Sequence, residues 1–507
     1  MRSKLVSIFA LALLTLVSLG LSPRPAPAAD AGTVLDEILD IMRKSGQITD
    51  EQRKALLERA GKEAQAAKAE REKADKELMS KFTAGIENAR PFLRSADGDF
   101  RLQIGGRMHV DFDTTEPGAR TLNGAILGDR FLVRRARMEF MGQFFRWIDL
   151  RLDAEFTENI AIKNAYLNFR FLPELAVKGG QFKVPFSLDQ LVTANFIDFV
   201  ERSVVDELAP AYDIGLSLNG ALFDGIVGYE VGVFNGVPED TVEIDNVKDV
   251  AGRAVLAPFK TGGNYWLKGL QIGGNFTWGD EGLIASAQGR TTARTSTRFA
   301  YFVAQPTRGS RTRVGGDLAW LIGPASIKFE WDQQTNDRDG CGIVTGTGSG
   351  ATCAGGGDLD AITAQGFYGT VTCILTGEDK VLNGPVIPRR PFSPIAGRYG
   401  PGAWELALRY AQLKFSSDDP VDFFDGNPTN GIPGGGRTAE NGVEALTAGI
   451  NWYLNQRVRY MFNFTHYWYD NELGTPFSCE VGPCTATTLQ RQGDTSWEIL
   501  TRMQLWF

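Results

Sequence analysis

Histidine is nearly absent: the 507 residues hold only His109 and His466. A metal site built from histidines, or a pair of them in acid–base chemistry, is thereby disfavoured. Basic charge is not in surplus. Lys plus Arg number 53 against 61 Asp plus Glu, a formal net charge of −8, whereas a nucleic-acid binder normally shows a basic excess. Cysteine is scarce, at five. Cys341 and Cys353 bracket a Gly-rich loop, Cys479 and Cys484 bracket Glu-Val-Gly-Pro, and Cys373 is left over. Only one pair is close in sequence, which argues against a four-cysteine zinc site. Two local bridges plus one free thiol is the plainest partition in an oxidising compartment. A Cys479–Cys484 disulfide is expected, and the pairing of the other three is left open. The sequence contains no phosphate-binding P-loop, His-Glu-x-x-His or nucleophile elbow, so neither an enzyme nor a resident metal or cofactor is expected.

Long apolar runs are also missing after residue 30, so no spanning helix is expected there. The first 29 residues differ. Arg2 and Lys4 precede an apolar run from Leu5 to Leu21, and small residues close the segment at Ala28-Ala29. That is the layout of a secretory signal peptide, over 1–29, and it predicts export from the cytoplasm.

Residues 30–84 read as helical. Val34, Leu35, Ile38, Ile41 and Met42 form one apolar face that stops at Gly46, and Thr49-Asp50-Glu51-Gln52 is a capping box opening a second helix. In that helix Leu57, Ala60, Ala64, Ala67, Arg71, Ala74 and Leu78 recur at heptad spacing. A solvated helical hairpin and a short coiled coil both fit this pattern. Residues 85–99 read as a linker.

From residue 100 the period changes to two. Phe100, Leu102, Ile104, Met108, Val110 and Phe112 alternate with Arg101, Gln103, Arg107, His109, Asp111 and Asp113. Segments of about ten residues with one apolar and one polar face suit a transmembrane β-barrel, with lipid outside and water inside. A soluble β-sandwich gives the same alternation. Three features favour the barrel: the signal peptide, the alternation of short turns with long Gly/Asp-rich loops, and a last strand ending in Phe507. Seventeen strand-like segments occur, and an even number is required. Assigning 283–291 to an excursion paired with 298–303 gives sixteen strands over 100–507, and letting both span gives eighteen. Sixteen is the expectation, an all-β transmembrane antiparallel barrel behind a periplasmic helical segment. Long loops are expected near 183–212, 335–361, 416–442 and 470–494.

An ordered set of motifs then points to one family. Arg134-Arg135-Ala136-Arg137 lies on the second strand, followed by Ala165-Tyr166 and the block Gly180-Gln181-Phe182-Lys183-Val184-Pro185-Phe186-Ser187. Glu201-Arg202-Ser203, Gly323-Pro324, Leu375-Thr376-Gly377-Glu378 and Trp404-Glu405-Leu406 with Arg409-Tyr410 follow in order. Over residues 100–507 the chain resembles the phosphate-selective porin O and P family, with Asn164 where that family usually has Asp. The resemblance implies a sixteen-stranded homotrimeric porin of the bacterial outer membrane that passes phosphate-like anions.

Charge over the barrel region is acidic, with 37 Lys and Arg against 47 Asp and Glu between 99 and 507. Local charge decides pore selectivity, however. The alternation turns Arg107, Arg135, Arg137 and Arg151 inward as pore-lining, anion-binding candidates. The segment Ser187–Tyr212 sits where porins fold a constriction loop into the barrel. Constriction candidates are Lys183, Asp189, Asp198, Glu201, Arg202, Asp206 and Glu207. A basic wall facing an acidic loop would set a field across the channel; alternatively these charges pair and merely solvate the lumen. The expected partners are outer-membrane lipid, small anions, two further copies of the chain and peptidoglycan through the helical head. A general or cation-preferring porin, or a structural tether, is the alternative function.

Overall fold

The computed structural model describes residues 39–46, 48–87, 90–116, 128–157, 160–237, 247–281, 290–296, 300–341, 343–345, 352–354, 357–395, 399–421, 438–470, 477–478, 490–491 and 495–507. The expected signal peptide, the Cys479–Cys484 bridge and Val34–Ile38 of the first helical face lie outside these residues. The chain falls into two compact units, Met1–Thr83 and Ala84–Phe507.

In the first unit a helix (α1, Asp50–Lys81) follows a turn at Ser45–Gly46. Its start is the reciprocal capping box read from sequence: Gln52 N donates to Thr49 Oγ1 at 3.2 Å and Thr49 N donates to Gln52 Oε1 at 2.9 Å.

In the second unit sixteen antiparallel strands close into a barrel. They are β1 Phe100–Thr115, β2 Arg130–Phe144, β3 Ile148–Glu155, β4 Ala161–Leu172, β5 Leu175–Lys183, β6 Tyr212–Leu222, β7 Val227–Phe234 and β8 Asp249–Leu256. The others are β9 Leu270–Glu281, β10 Gly309–Ile322, β11 Ala325–Arg338, β12 Leu359–Ile374, β13 Ala403–Val421, β14 Thr438–Tyr453, β15 Val458–Tyr469 and β16 Thr495–Trp506. Each pairs with its sequence neighbour, and β16 pairs back onto β1 from Glu498↔Thr115 to Trp506↔Arg107. No helix among the described residues is long and apolar enough to cross a membrane. The strands do so by closing every hydrogen-bonding edge.

Alternation sorts the side chains. On β1, Met108 and Val110 are exposed outward while Arg107, His109, Asp111 and Asp113 are buried inward. On β16, Met503 and Leu505 face out and Arg502 and Gln504 face in. Aromatic pairs mark both ends of the apolar band. Trp404 stacks on Trp452 (5.1 Å) at one end, and Phe112–Phe131 (4.7 Å) and His466–Trp468 (4.4 Å) lie at the other, as in the girdles of barrels set in lipid. Gly180 shows why a motif residue is fixed. It sits at φ 130°, and a Cβ there would come within 2.2 Å of the Ala165 carbonyl on β4.

Three expectations need correction. The stretch 85–99 is not a plain linker: Phe82–Glu87 and Arg90–Ser95 are strands, and the second pairs with β1 at Phe92↔Gln103. The expected excursion hairpin forms as a separate two-stranded sheet, but of Arg290–Arg294 with Ala300–Pro306 rather than of 283–291 with 298–303. The loop expected at 416–442 begins later, because β13 and β14 stay paired beyond Ser416↔Glu440 to Val421↔Thr438. Polar strand ends lose the apolar rhythm without losing their backbone hydrogen bonds.

Among the cysteines, Cys341 is disulfide-bonded and Cys373 is a free thiol on the exposed face of β12.

Candidate functional site

The segment between β5 and β6 folds into the lumen. Its short 3-10 turn (Val204–Leu208) buries Val204, Val205 and Leu208 against an inward apolar patch that includes Ile362, Tyr368, Leu413, Phe415 and Tyr467. The lumen wall of β12–β15 is therefore not uniformly polar. It carries the greasy surface on which the loop lies, and burying that surface holds the loop inside.

Polar anchors fix the rest. Arg459 donates to the carbonyls of Ile197 and Asn195 at 3.0 and 3.1 Å, and Asn463 Oδ1 accepts from Val200 N at 2.6 Å. Glu201 accepts from Arg134 at 2.8 Å and from Arg502 at 3.0 Å, and Arg502 makes a bidentate pair with Asp111 at 2.8 and 2.6 Å. Burial opposes charge on Glu201, but Arg134, Arg135 and Arg502 together hold its carboxyl well below the usual range.

Between this loop and the wall of β1–β5 lies a cavity of about 640 Å³. Nine of its lining residues are Arg or Lys and six are Asp or Glu, the reverse of the chain's overall balance. Arg107, Arg135 and Arg137 reach it, as the alternation predicts. Their partners differ. Arg107 Nε is 2.8 Å from Glu139 Oε1 and its Nη1 donates to Thr193 Oγ1 at 3.0 Å. Arg137 Nε is 3.1 Å from Glu155 and its Nη1 donates to the Tyr212 hydroxyl at 3.3 Å. Arg135 is 8% exposed, and its Nη1 has no hydrogen-bond partner. Arg151 is inward but lies outside the cavity lining, paired with Glu139 at 2.9 Å and Asp153 at 2.7 Å.

The loop candidates also divide. Lys183, Glu201, Arg202, Asp206 and Glu207 line the cavity, whereas Asp189 and Asp198 do not. Lys183 Nζ donates to the Gln190 and Val192 carbonyls, and Arg202 donates to those of Asp189 (2.7 Å) and Val192 (2.8 Å). Asp189 Oδ2 accepts from Ser203 N at 2.9 Å, a structural bond within the loop. Asp206 sits 3.7 Å from Arg202, and burial pushes its carboxyl up to about 8. His109 is fully buried, with Nε2 3.1 Å from Asn195 Oδ1, and His466 faces outward. They do not form a pair.

Two cavity bases follow from β-bulges. Between β1 and β2 the register steps from His109↔Arg135 to Val110↔Val133, leaving Arg134 as the extra residue. Arg134 and Arg135 therefore both reach the cavity although they are adjacent. Between β3 and β4 the step from Asp153↔Asn164 to Ala154↔Ile162 leaves Lys163 extra, and it too lines the cavity. Strict alternation points Arg134 outward. The signal that reveals it is a slip of apolar phase, from odd at Phe131 and Val133 to even at Ala136, Met138 and Phe140. Arg409 and Arg502, on β13 and β16, are further inward bases not among the pore-lining or constriction candidates.

Similar barrels occur among solved structures. One of OmpT from Vibrio cholerae is 8% identical, covers 81% of this chain and 98% of that one, and has a TM-score of 0.47. An anion-selective porin from Comamonas acidovorans is 11% identical over 80% and 100%, with a TM-score of 0.45. The outer membrane channel DcaP of Acinetobacter baumannii is 9% identical over 81% and 99%, with a TM-score of 0.43. No function is transferred from likenesses this distant. No curated relative matches the chain. The phosphate-selective porin O and P family matches residues 102–474. With a closed sixteen-stranded barrel, a loop folded into its lumen and that match across most of its length, the chain belongs to the phosphate-selective porin O and P family and forms an outer-membrane channel.

Proposed function

We propose that the channel passes small charged solutes by diffusion and prefers anions of the phosphate type. The observation that carries this reading is the basic cavity, in which Arg135 is nine-tenths buried and has a donor free. Arginine stays charged at every relevant pH and binds oxyanions through two parallel donors. Glu139 and Glu155 compensate Arg107 and Arg137, while Lys183 donates to backbone carbonyls. The field at the cavity is therefore positive although the chain is acidic. Addition of phosphate should block chloride current through single channels. Chloride current indifferent to phosphate would contradict this reading.

A cation-preferring channel is the second reading, and one observation favours it. Asp332 on β11 is 1% exposed, and neither of its carboxylate oxygens has a hydrogen-bond partner, so an acidic site exists on the lumen wall.

The remaining roles belong to the same proposal. Export through the N-terminal signal, assembly as a homotrimer and disulfide closure at Cys479–Cys484 complete the picture. The head in α1 serves as a coiled coil or a peptidoglycan contact. Its described side chains are exposed or half-exposed, Leu56 among them at 42%.

A further inference from the structure

The connection from β12 to β13, residues 375–402, lies at the end of the barrel opposite the mouth from which the constriction loop enters. Most turns at that end are short: Phe145–Trp147, Pro173–Glu174, Gly323–Pro324 and Leu454–Arg457. This one is long, and it meets the constriction loop inside the lumen. Lys380 is 8% exposed, and its Nζ is 2.8 Å from Asp198 Oδ1 and also bonds Glu405. The other Asp198 oxygen accepts from Lys328 Nζ at 2.7 Å. Asn451 Nδ2 joins the two ends, donating to the Asp198 carbonyl at 2.8 Å and to Glu405 Oε2 at 2.9 Å, and the Tyr453 hydroxyl donates to Glu405 at 2.6 Å.

Two carboxylates and two ammonium groups are thus buried together in balance, and each carboxylate oxygen lies against an ammonium group or another donor. Burial works against the Asp198 charge, yet Lys328 and Lys380 hold the carboxyl below its usual range. Such a cluster tolerates burial only when complete; removing one member strands the opposite charge. A second tie lies beside it, where Asn383 Oδ1 accepts from Thr193 N at 2.8 Å. Leu382 packs against the cluster of Leu188, Val192 and Ile197, all from the constriction loop.

We infer that the 375–402 connection is the floor of the constriction. It clamps the loop at Lys380–Asp198 and Asn383–Thr193, so that the narrow part of the pore is assembled from both ends. Lys380 is a positioning residue, and the loop conducts in a fixed seat rather than swinging as a gate. This rests on the channel reading, and the test separates the two.

In purified protein carrying Cys373→Ser, Thr193→Cys and Asn383→Cys, a short bifunctional thiol reagent should cross-link the new pair, seen as a linked peptide by mass spectrometry. Each single-cysteine variant is the control. Channels from the linked protein should carry the same steady current as unlinked ones. Absence of the link in a folded barrel, or a link that reduces the current, overturns the clamp. If unmodified protein carries no current, the channel reading fails, while the peptide link still reports the clamp. Independently, Lys380→Met should replace steady current with flicker, and Lys380→Arg should restore it. Steady current in Lys380→Met at the unmodified level would contradict the positioning role.

Discussion

Arg135 differs from Arg107 and Arg137, each of which pairs with a glutamate, in that its Nη1 has no hydrogen-bond partner. A unit charge about 4 Å from an ion contributes ~1 kcal/mol in water and ~4 kcal/mol in a protein-like medium. Removing it should therefore lower the anion-to-cation permeability ratio about tenfold, the equivalent of ~1.4 kcal/mol. Arg135→Gln is expected to do so, and Arg137→Gln to do less, because Glu155 already offsets Arg137. Reversal potentials of the two variants decide it; equal effects would show that the pairing with Glu155 is irrelevant to permeation. At this scale the sequence was partly legible. A period of two places Arg107, Arg135 and Arg137 inward, but a bulge adds a residue without changing composition. Arg134 and Lys163 were therefore hidden. Nor does alternation tell which inward arginine finds a carboxylate, since Glu139 and Glu155 are inward too and pairing depends on register.

The closing pair of strands and the constriction loop meet at Arg502. On β16 it faces Asp111 of β1, and both side chains are almost wholly buried. Removing one partner of a buried pair costs about 3 kcal/mol or more, because the other charge is left uncompensated. Asp111→Asn should lower the temperature at which the compact barrel converts to the unfolded form on gels; no change would mean that Glu201 alone satisfies Arg502. The loop also carries a pH dependence. Burial raises the Asp206 carboxyl to about 8, with Asp189 and Glu207 raising it and Arg202 and Lys183 lowering it. The folded loop thus holds this proton more tightly than the unfolded chain does. Its seat is favoured at low pH and weakens as pH rises from the ordinary carboxyl range, near 4, towards 8. A negative charge then enters the cavity, so anion preference should decline through about pH 8. A reversal potential flat from pH 6 to 9, or no difference between unmodified protein and Asp206→Asn, would contradict it. Strands were the most legible elements, since ten-residue alternation marks both existence and face. The connection 375–402 was not, because nothing in a Gly/Pro-rich segment tells whether it stays at the rim or folds inward; Lys380 finds its partners only across the lumen.

For the whole molecule, a net charge of −8 and a basic cavity pull in opposite directions. Charges at the outer surface are screened over about 8–10 Å of salt solution, while those lining a narrow, poorly hydrated passage act on every ion that crosses it. Local charge should therefore prevail. The motif order and the closing strand made the barrel legible as a whole, whereas its selectivity depends on which of many inward charges remain unmatched. The most direct measurement is the zero-current potential of single channels in a planar bilayer under a potassium chloride gradient. A potential of the sign set by chloride, which weakens when Arg135 is replaced by Gln, is the predicted result. A potential of the sign set by potassium, unchanged by that substitution, would contradict the account.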